Sequence, residues 1–214
     1  KITELPVPTS RAAGFGTALG AYQIEVGASP TQIVGNDSLP DGSTVVRKIG
    51  EGTPDFTMSF SSDVQWRSFS LSGLVDWQQG GSIINLTKFL YDLGGNTGDY
   101  DTPITVGGVE TTVGAHRLAV FGKQTGVYVE DASFVKVREI SLSYDVPQEL
   151  LSSVWGTART LRLSLSGRNL FTFTDYSGLD PEVSNFGNQQ IARNIDVAPF
   201  PPSRSFWFSV QVGF

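Results

Sequence analysis

The side chains able to do chemistry are few and scattered. His116 is the sole histidine, and no serine and carboxylate flank it in a spacing that would build a nucleophilic triad. It reads as a surface histidine in a loop. Asp180 and Glu182 stand close together, but a hydrolytic pair needs its carboxyls about 5–10 Å apart around a substrate. An Asp before Pro181 more simply orders a turn. Asp92, Asn96, Asp99 and Asp101 offer oxygen ligands that calcium accepts, without the Glu that a calcium loop carries at its end. The competing reading is a solvated acidic loop. Trp77, Tyr91, Tyr100 and Tyr128 have flat apolar ring faces that would stack on sugars. For Trp77 a place at a membrane interface is preferred. For Tyr91 and Tyr100, ligand contact, loop packing and contact with a partner stay open. The runs GGNTG and GGVETTVG lack the strand, helix and Lys-Ser/Thr pair of a phosphate loop. With no cysteine, disulfides and thiolate metal sites are excluded. These residues point to no enzyme and to no cofactor, calcium apart.

The elements that must position them are alternating strands. Ser205 to Phe214 reads SFWFSVQVGF. Phe206, Phe208, Val210, Val212 and Phe214 share one face; Trp207, Ser209, Gln211 and Gly213 share the other. Ten residues at about 3.3 Å, tilted by about 45°, span roughly 24 Å, the height of a membrane barrel's apolar band. A soluble sandwich strand would alternate in the same way, so the other strands decide. Phe56 to Trp66 and Phe69 to Trp77 form a hairpin with a very short link at Arg67 and Ser68. Both carry aromatics near each end (Phe56, Trp66, Phe69, Trp77), where a bilayer's two interfaces favour them. Phe206 and Phe208 are assigned to the same belt.

In Phe134 to Val146 the parity switches. Val135 and Val137 lie on one face, Ile140, Leu142 and Tyr144 on the other, which indicates a bulge or a strand projecting past the membrane. Pro147 ends this strand, and PQELLSSVWGTA follows as a turn with room for one helical turn. Leu161, Leu163, Leu165 and Phe171 then face out, with Arg162, Ser164, Ser166 and Arg168 opposite. Tyr22, Ile24 and Val26 alternate in a Gly-rich opening stretch, and residues 36–53 read as turns. Gln79 to Ser133 is a long excursion with one helical candidate, Ile83 to Leu93, whose face residues would be Ile84, Phe89 and Leu90. Asp175 to Arg204 is a second long loop. Short turn, long loop, short turn, long loop is a rhythm that a sandwich does not require; in membrane barrels the long loops are extracellular.

Composition agrees. Charged residues make up 17% of the chain and the net charge is −6, below the usual charge density of a soluble domain and without the basic footprint of a nucleic-acid partner. No run of about 18 apolar residues offers a membrane helix, which leaves a membrane barrel open. The chain opens on Lys1-Ile2-Thr3 without a signal peptide, as expected of a processed chain or a piece of a longer one.

Three blocks carry a family resemblance. FVKVREISLSYDVP (Phe134 to Pro147) followed by LRLSLSGRNLFTFTDYSGLDPEVS (Leu161 to Ser184) resembles the "FVRLREVSLSY" strand and "SGRNLFTFTxYxGxDPE" strand and loop of SusC/RagA-type TonB-dependent outer-membrane transporters. FSLSGLVDWQQGGSIINLT (Phe69 to Thr87), GEGTPDFTMSF (Gly50 to Phe60) and the closing aromatic strand are similar to the same family. The resemblance runs from about Gly50 to Phe214, and the first fifty residues fit less distinctively. It implies an all-β chain, residues 1–214 being an incomplete C-terminal segment of a barrel of about 22 strands, the plugged class of transporter. It implies long extracellular loops, short periplasmic turns and residence in the bacterial outer membrane, with Phe214 as the assembly signal. It also implies import of large nutrients, glycans or peptides, with outer-membrane lipid, a plug, a SusD-like surface lipoprotein and TonB as partners. Asp76, Gln78, Arg162 and Arg168 would line the lumen, and Tyr91, Tyr100 and Tyr128 would meet substrate or lid. With so few strands, further strands must come from elsewhere, since open edges do not persist in hydrocarbon. The alternatives are a non-transporting β-sheet subunit of an envelope complex and a soluble sandwich.

Overall fold

The computed structural model describes residues 32–183 and 194–214, so Tyr22, Ile24 and Val26 lie outside the described residues. The strands are, in order, Gln32–Ser38 (β1), Thr44–Glu51 (β2), Phe56–Trp66 (β3), Phe69–Gln79 (β4), Ser82–Asn85 (β5), Pro103–Val106 (β6), Val109–Thr112 (β7), Val129–Asp131 (β8), Phe134–Asp145 (β9), Thr160–Phe173 (β10), Ile195–Asp196 (β11) and Ser205–Gly213 (β12). Three short helices are Leu86–Leu93 (α1), Val113–Val120 (α2) and Gln148–Val154 (α3). They divide between two units.

The first unit is a five-stranded antiparallel meander in the order β12-β10-β9-β4-β3. Residues facing each other across an antiparallel pair project to the same side, so the registers define rows. One face carries Trp66, Phe69, Tyr144, Leu163 and Val210, then Val64, Leu71, Leu142, Leu165 and Phe208, then Ser62, Gly73, Ile140, Gly167 and Phe206. Next on that face come Phe60, Val75, Val137 and Phe171, then Met58, Trp77, Val135 and Phe173. The opposite face repeats serine: Gln65, Ser70, Ser143, Ser164 and Ser209, then Asp63, Ser72, Ser141, Ser166 and Trp207.

The parity switch of β9 is a bulge. Leu74 faces Glu139 while its neighbour Val75 faces Val137, which leaves Arg138 unmatched on β4 and returns Val137 to the apolar face. From Phe56 to Trp66, ten steps of about 3.3 Å tilted by about 45° give an apolar band about 23 Å tall.

Trp66 and Phe69 stack in one end row at 6.5 Å, and Phe69 meets Tyr144 at 4.6 Å. Phe56 meets Trp77 edge-on at 5.0 Å towards the other end. Phe206 and Phe208 are the second and fourth residues of β12, and Phe206 covers the notch left by Gly167, where an added Cβ would lie 3.2 Å from the ring. Arg67 and Ser68 alone link β3 to β4, with Arg67 at a positive φ of 53°. The β9–β10 connection holds α3, and the other two connections are long. Alternate connections of a meander share one end, so the short ones share one end and the long ones the other.

The second unit comprises residues 80–133, 175–201 and the described residues up to 55. Here three expectations are corrected. Residues 36–51 fall in the β1–β2 hairpin; Asn36, Asp37 and Ser38 pair within it and its turn runs from Leu39 to Ser43, where Asp41 accepts bonds from the Ser43 N–H and hydroxyl at 2.9 and 2.6 Å. Gln79 to Ser133 is mostly ordered elements. The helical candidate splits: Ile83 and Ile84 lie in β5, which pairs antiparallel with β8 and parallel with β11. Asn85 then caps α1 through the Lys88 N–H at 2.8 Å, leaving Leu90 outward and 44% exposed. Local periodicity missed the strand because its partners lie far along the chain. The core gathers Ile33, Ile84, Leu86, Phe89, Phe121, Tyr128 and Ile195. Phe89 lies 4.5 Å from Phe121, and both meet the Tyr128 ring edge-on.

Candidate functional site

On the sheet, the four residues expected to line a lumen all fall on the serine-bearing face. Asp76 accepts bonds from Ser59 Oγ at 2.7 Å and Arg138 Nε at 2.6 Å. Arg162 forks onto both oxygens of Asp145 at 2.6 and 2.8 Å. Arg168 donates to Glu139 at 3.0 Å. Gln78 shares the face by its register with Thr57. Ser143 and Ser164 hydroxyls lie 2.9 Å apart across β9 and β10. The surface is polar and internally charge-balanced, which suits water or protein and not hydrocarbon.

In the second unit, the buried centre is Asp92. Its side chain is closed to solvent and takes Arg117 Nε and Nη2 at 2.7 Å each, Tyr128 Oη at 2.8 Å and the Thr97 hydroxyl. Arg117 also grips Asp99 at 2.7 and 2.8 Å. Burial pushes Asp92 up, but the bonds from Arg117, Thr97 and Tyr128 outweigh it and hold the carboxyl below its ordinary range. The bonds from Arg117 likewise lower Asp99, while burial and then Asp92 raise the Tyr128 phenol.

Of the four oxygen-bearing residues, Asp92 and Asp99 are turned onto the Arg117 guanidinium, and among the described residues no three carboxylates or histidines converge as a metal group. Tyr128 is corrected too: it is fully buried, so its ring packs the core and meets no ligand. Tyr100 is half-buried over Gly114, where an added Cβ would lie 1.9 Å from the ring. His116 sits within α2 and not in a loop. Asp180 does order its turn, accepting the Glu182 N–H at 2.8 Å.

Tyr91 is 54% exposed on α1. It borders a cleft of about 540 Å³ with Lys88, Asn96, Thr97, Asp99 and Leu179. Lys88 donates to Glu130 at 3.1 Å, and Glu130 also takes the Ser177 N–H and hydroxyl at 2.8 and 2.7 Å. Burial raises Glu130, but those Ser177 bonds and Lys88 bring it below its ordinary value. Tyr176 and Thr87 both donate to Asp196. Sequence reading missed Arg117, Lys88, Glu130 and Ser177. Arg117 is 25 positions from Asp92, and Ser177 is 47 from Glu130, beyond any local spacing signal.

A two-faced antiparallel meander, with an aromatic-ended apolar band on one side and ion pairs on the other, defines a stretch of membrane β-barrel wall. No family model matches the chain. TonB-dependent receptor P3 of Formosa agariphila is 33% identical over 91% of the chain and 21% of its own length. Receptor P39 of the same organism is 28% identical over 65% and 14%, respectively. Solved chains of the RagAB peptide importer share the fold: the closed-closed state has a TM-score of 0.53 at 19% identity, covering 92% of this chain and 22% of that one. A further RagAB peptide transporter structure gives 0.54 at 20%, with the same coverage. The chain is thus similar to TonB-dependent receptors of the outer membrane and shares the fold of the RagAB chains, as a segment spanning about a fifth of the length of the curated relative it matches over most of its own length.

Proposed function

We propose that the chain supplies barrel wall and extracellular loops to a TonB-dependent importer of large nutrients, glycans or peptides. The observation that carries this reading is the two-faced sheet: apolar rows for lipid, and an ion-paired face for a plug and aqueous path. The folded unit built from the long connections would stand outside the cell, where substrate and a SusD-like lipoprotein would reach it. The remaining strands, the plug and the TonB contact would come from the rest of the transporter. No covalent step is invoked; transport would follow displacement of the plug, and the role is not enzymatic.

The test is uptake. Cells expressing the intact transporter are compared with cells lacking its gene, on oligosaccharides or oligopeptides as sole carbon source. Loss of growth on one nutrient class supports the reading. Unchanged growth and uptake on all of them would favour a structural subunit of the envelope.

A further inference from the structure

We infer that the cleft beside α1 is a subsite for an uncharged oligosaccharide, with Tyr91 as its stacking platform; this rests on the importer reading above and chooses between its two nutrient classes. The cleft, at about 540 Å³, falls within the roughly 300–1,000 Å³ usual for small-ligand sites.

Its charges are already answered from within. Lys88 is paired with Glu130 at 3.1 Å, and Asp99 gives both oxygens to Arg117. A charged peptide side chain or terminus would have to break one of these pairs to gain a partner of its own. What the cleft presents unspent is neutral. Tyr91 exposes its ring, Asn96 is exposed with no side-chain hydrogen bond among the described residues, and Leu179 adds an apolar edge at 72% exposure. A flat aromatic face beside an amide, with an apolar edge, matches a pyranose, which shows C–H groups on one face and hydroxyls around its rim.

The wall is also held in shape before any ligand arrives. Thr97 and Asp99 are fixed by Asp92 and Arg117, and the start of α1 is fixed by Asn85, which caps it and donates to Ser177 at 3.2 Å. Preformed sites lose less freedom on binding.

The experiment uses the intact transporter in cells and purified in detergent. The probes are neutral gluco-, xylo- and manno-oligosaccharides of three to seven units, and uncharged, acidic and basic pentapeptides. Binding is read by calorimetry, uptake by labelled probe, and surface level by immunoblot. The expected result is an oligosaccharide that binds and enters, at least ten-fold weaker binding for Tyr91→Ala and several-fold for Asn96→Ala, and near-normal binding for Tyr91→Phe at equal surface level. Oligosaccharide binding unchanged in Tyr91→Ala and Asn96→Ala overturns the subsite and leaves the importer standing. Uptake of peptides with no oligosaccharide binding does the same. Uptake of neither class overturns both.

Discussion

Arginine placed at Ile140 reports directly which face of the sheet meets lipid. Ile140 shares a row with Ser62, Gly73, Gly167 and Phe206 and is 40% exposed. Counting along β9, Ile140 lies five residues from Val135 and four from Tyr144, near the two ends of that strand's apolar stretch. At about 3.3 Å per residue and about 45° of tilt, it is roughly 12 Å from one end of the stretch and 9 Å from the other, within a few ångströms of its middle. Arginine on the lipid face at that depth costs about 2–4 kcal/mol, roughly thirty- to several-hundred-fold in the folding equilibrium. Its neighbour Ser141 points the other way, in a row with Ser72 and Ser166, where Ser141→Arg is expected to cost within about 0.5 kcal/mol. Both variants are made in the intact protein. Urea unfolding in phosphatidylcholine vesicles then gives the two penalties. Equal penalties, or a larger one at Ser141, would refute the face assignment.

Other outcomes follow from the second unit. Arg117→Met strands the buried Asp92, with an expected loss of about 3–5 kcal/mol, read as faster hydrogen exchange in α1 and α2. The pH dependence should also change. Asp92 sits below its ordinary value, so its stabilising contribution is complete above the unfolded carboxylate pKa and fades as pH falls through the lower folded one; in Arg117→Met, where only the Thr97 and Tyr128 bonds remain against burial, that loss of protection on acidification should shrink. Tyr128→Phe keeps the three-ring cluster and removes one bond to Asp92, for a loss of about 1–3 kcal/mol, whereas Tyr128→Ala should lose about 3–5 kcal/mol; thermal melts distinguish them. Gly114→Ala drives a Cβ into Tyr100 and should cost about 1–3 kcal/mol, with faster proteolysis of residues 94–102; adding Tyr100→Ala should recover part of the loss.

Much of the sheet was legible in the residue order because a strand writes its faces with a period of two. The hairpin of β3 and β4 and the serine-bearing polar face follow from parity, as does the switch within β9, which the register then showed to be a bulge. The polar positions Asp76, Gln78, Arg162 and Arg168 were placed for the same reason. The second unit was not legible in this way. Its β5 is four residues long and pairs with β8 and, across more than a hundred residues, with β11. Four residues carry too little periodicity to separate strand from helix, and Ile83 and Ile84 merged with the helix that follows.

The candidate site divides along the same line. Residue order alone determined which side chains bear aromatic rings and oxygens, and that Tyr91, Tyr100, Asp92 and Asp99 come from one excursion. Only the tertiary structure decided their roles. It brought Arg117 onto the two carboxylates, buried Tyr128 against Phe89 and Phe121, laid Tyr100 over Gly114 and left Tyr91 open on a cleft. The physical reason is that a side chain's chemistry depends on its desolvation and its partner, and both are set by contacts between segments that the order of residues keeps far apart.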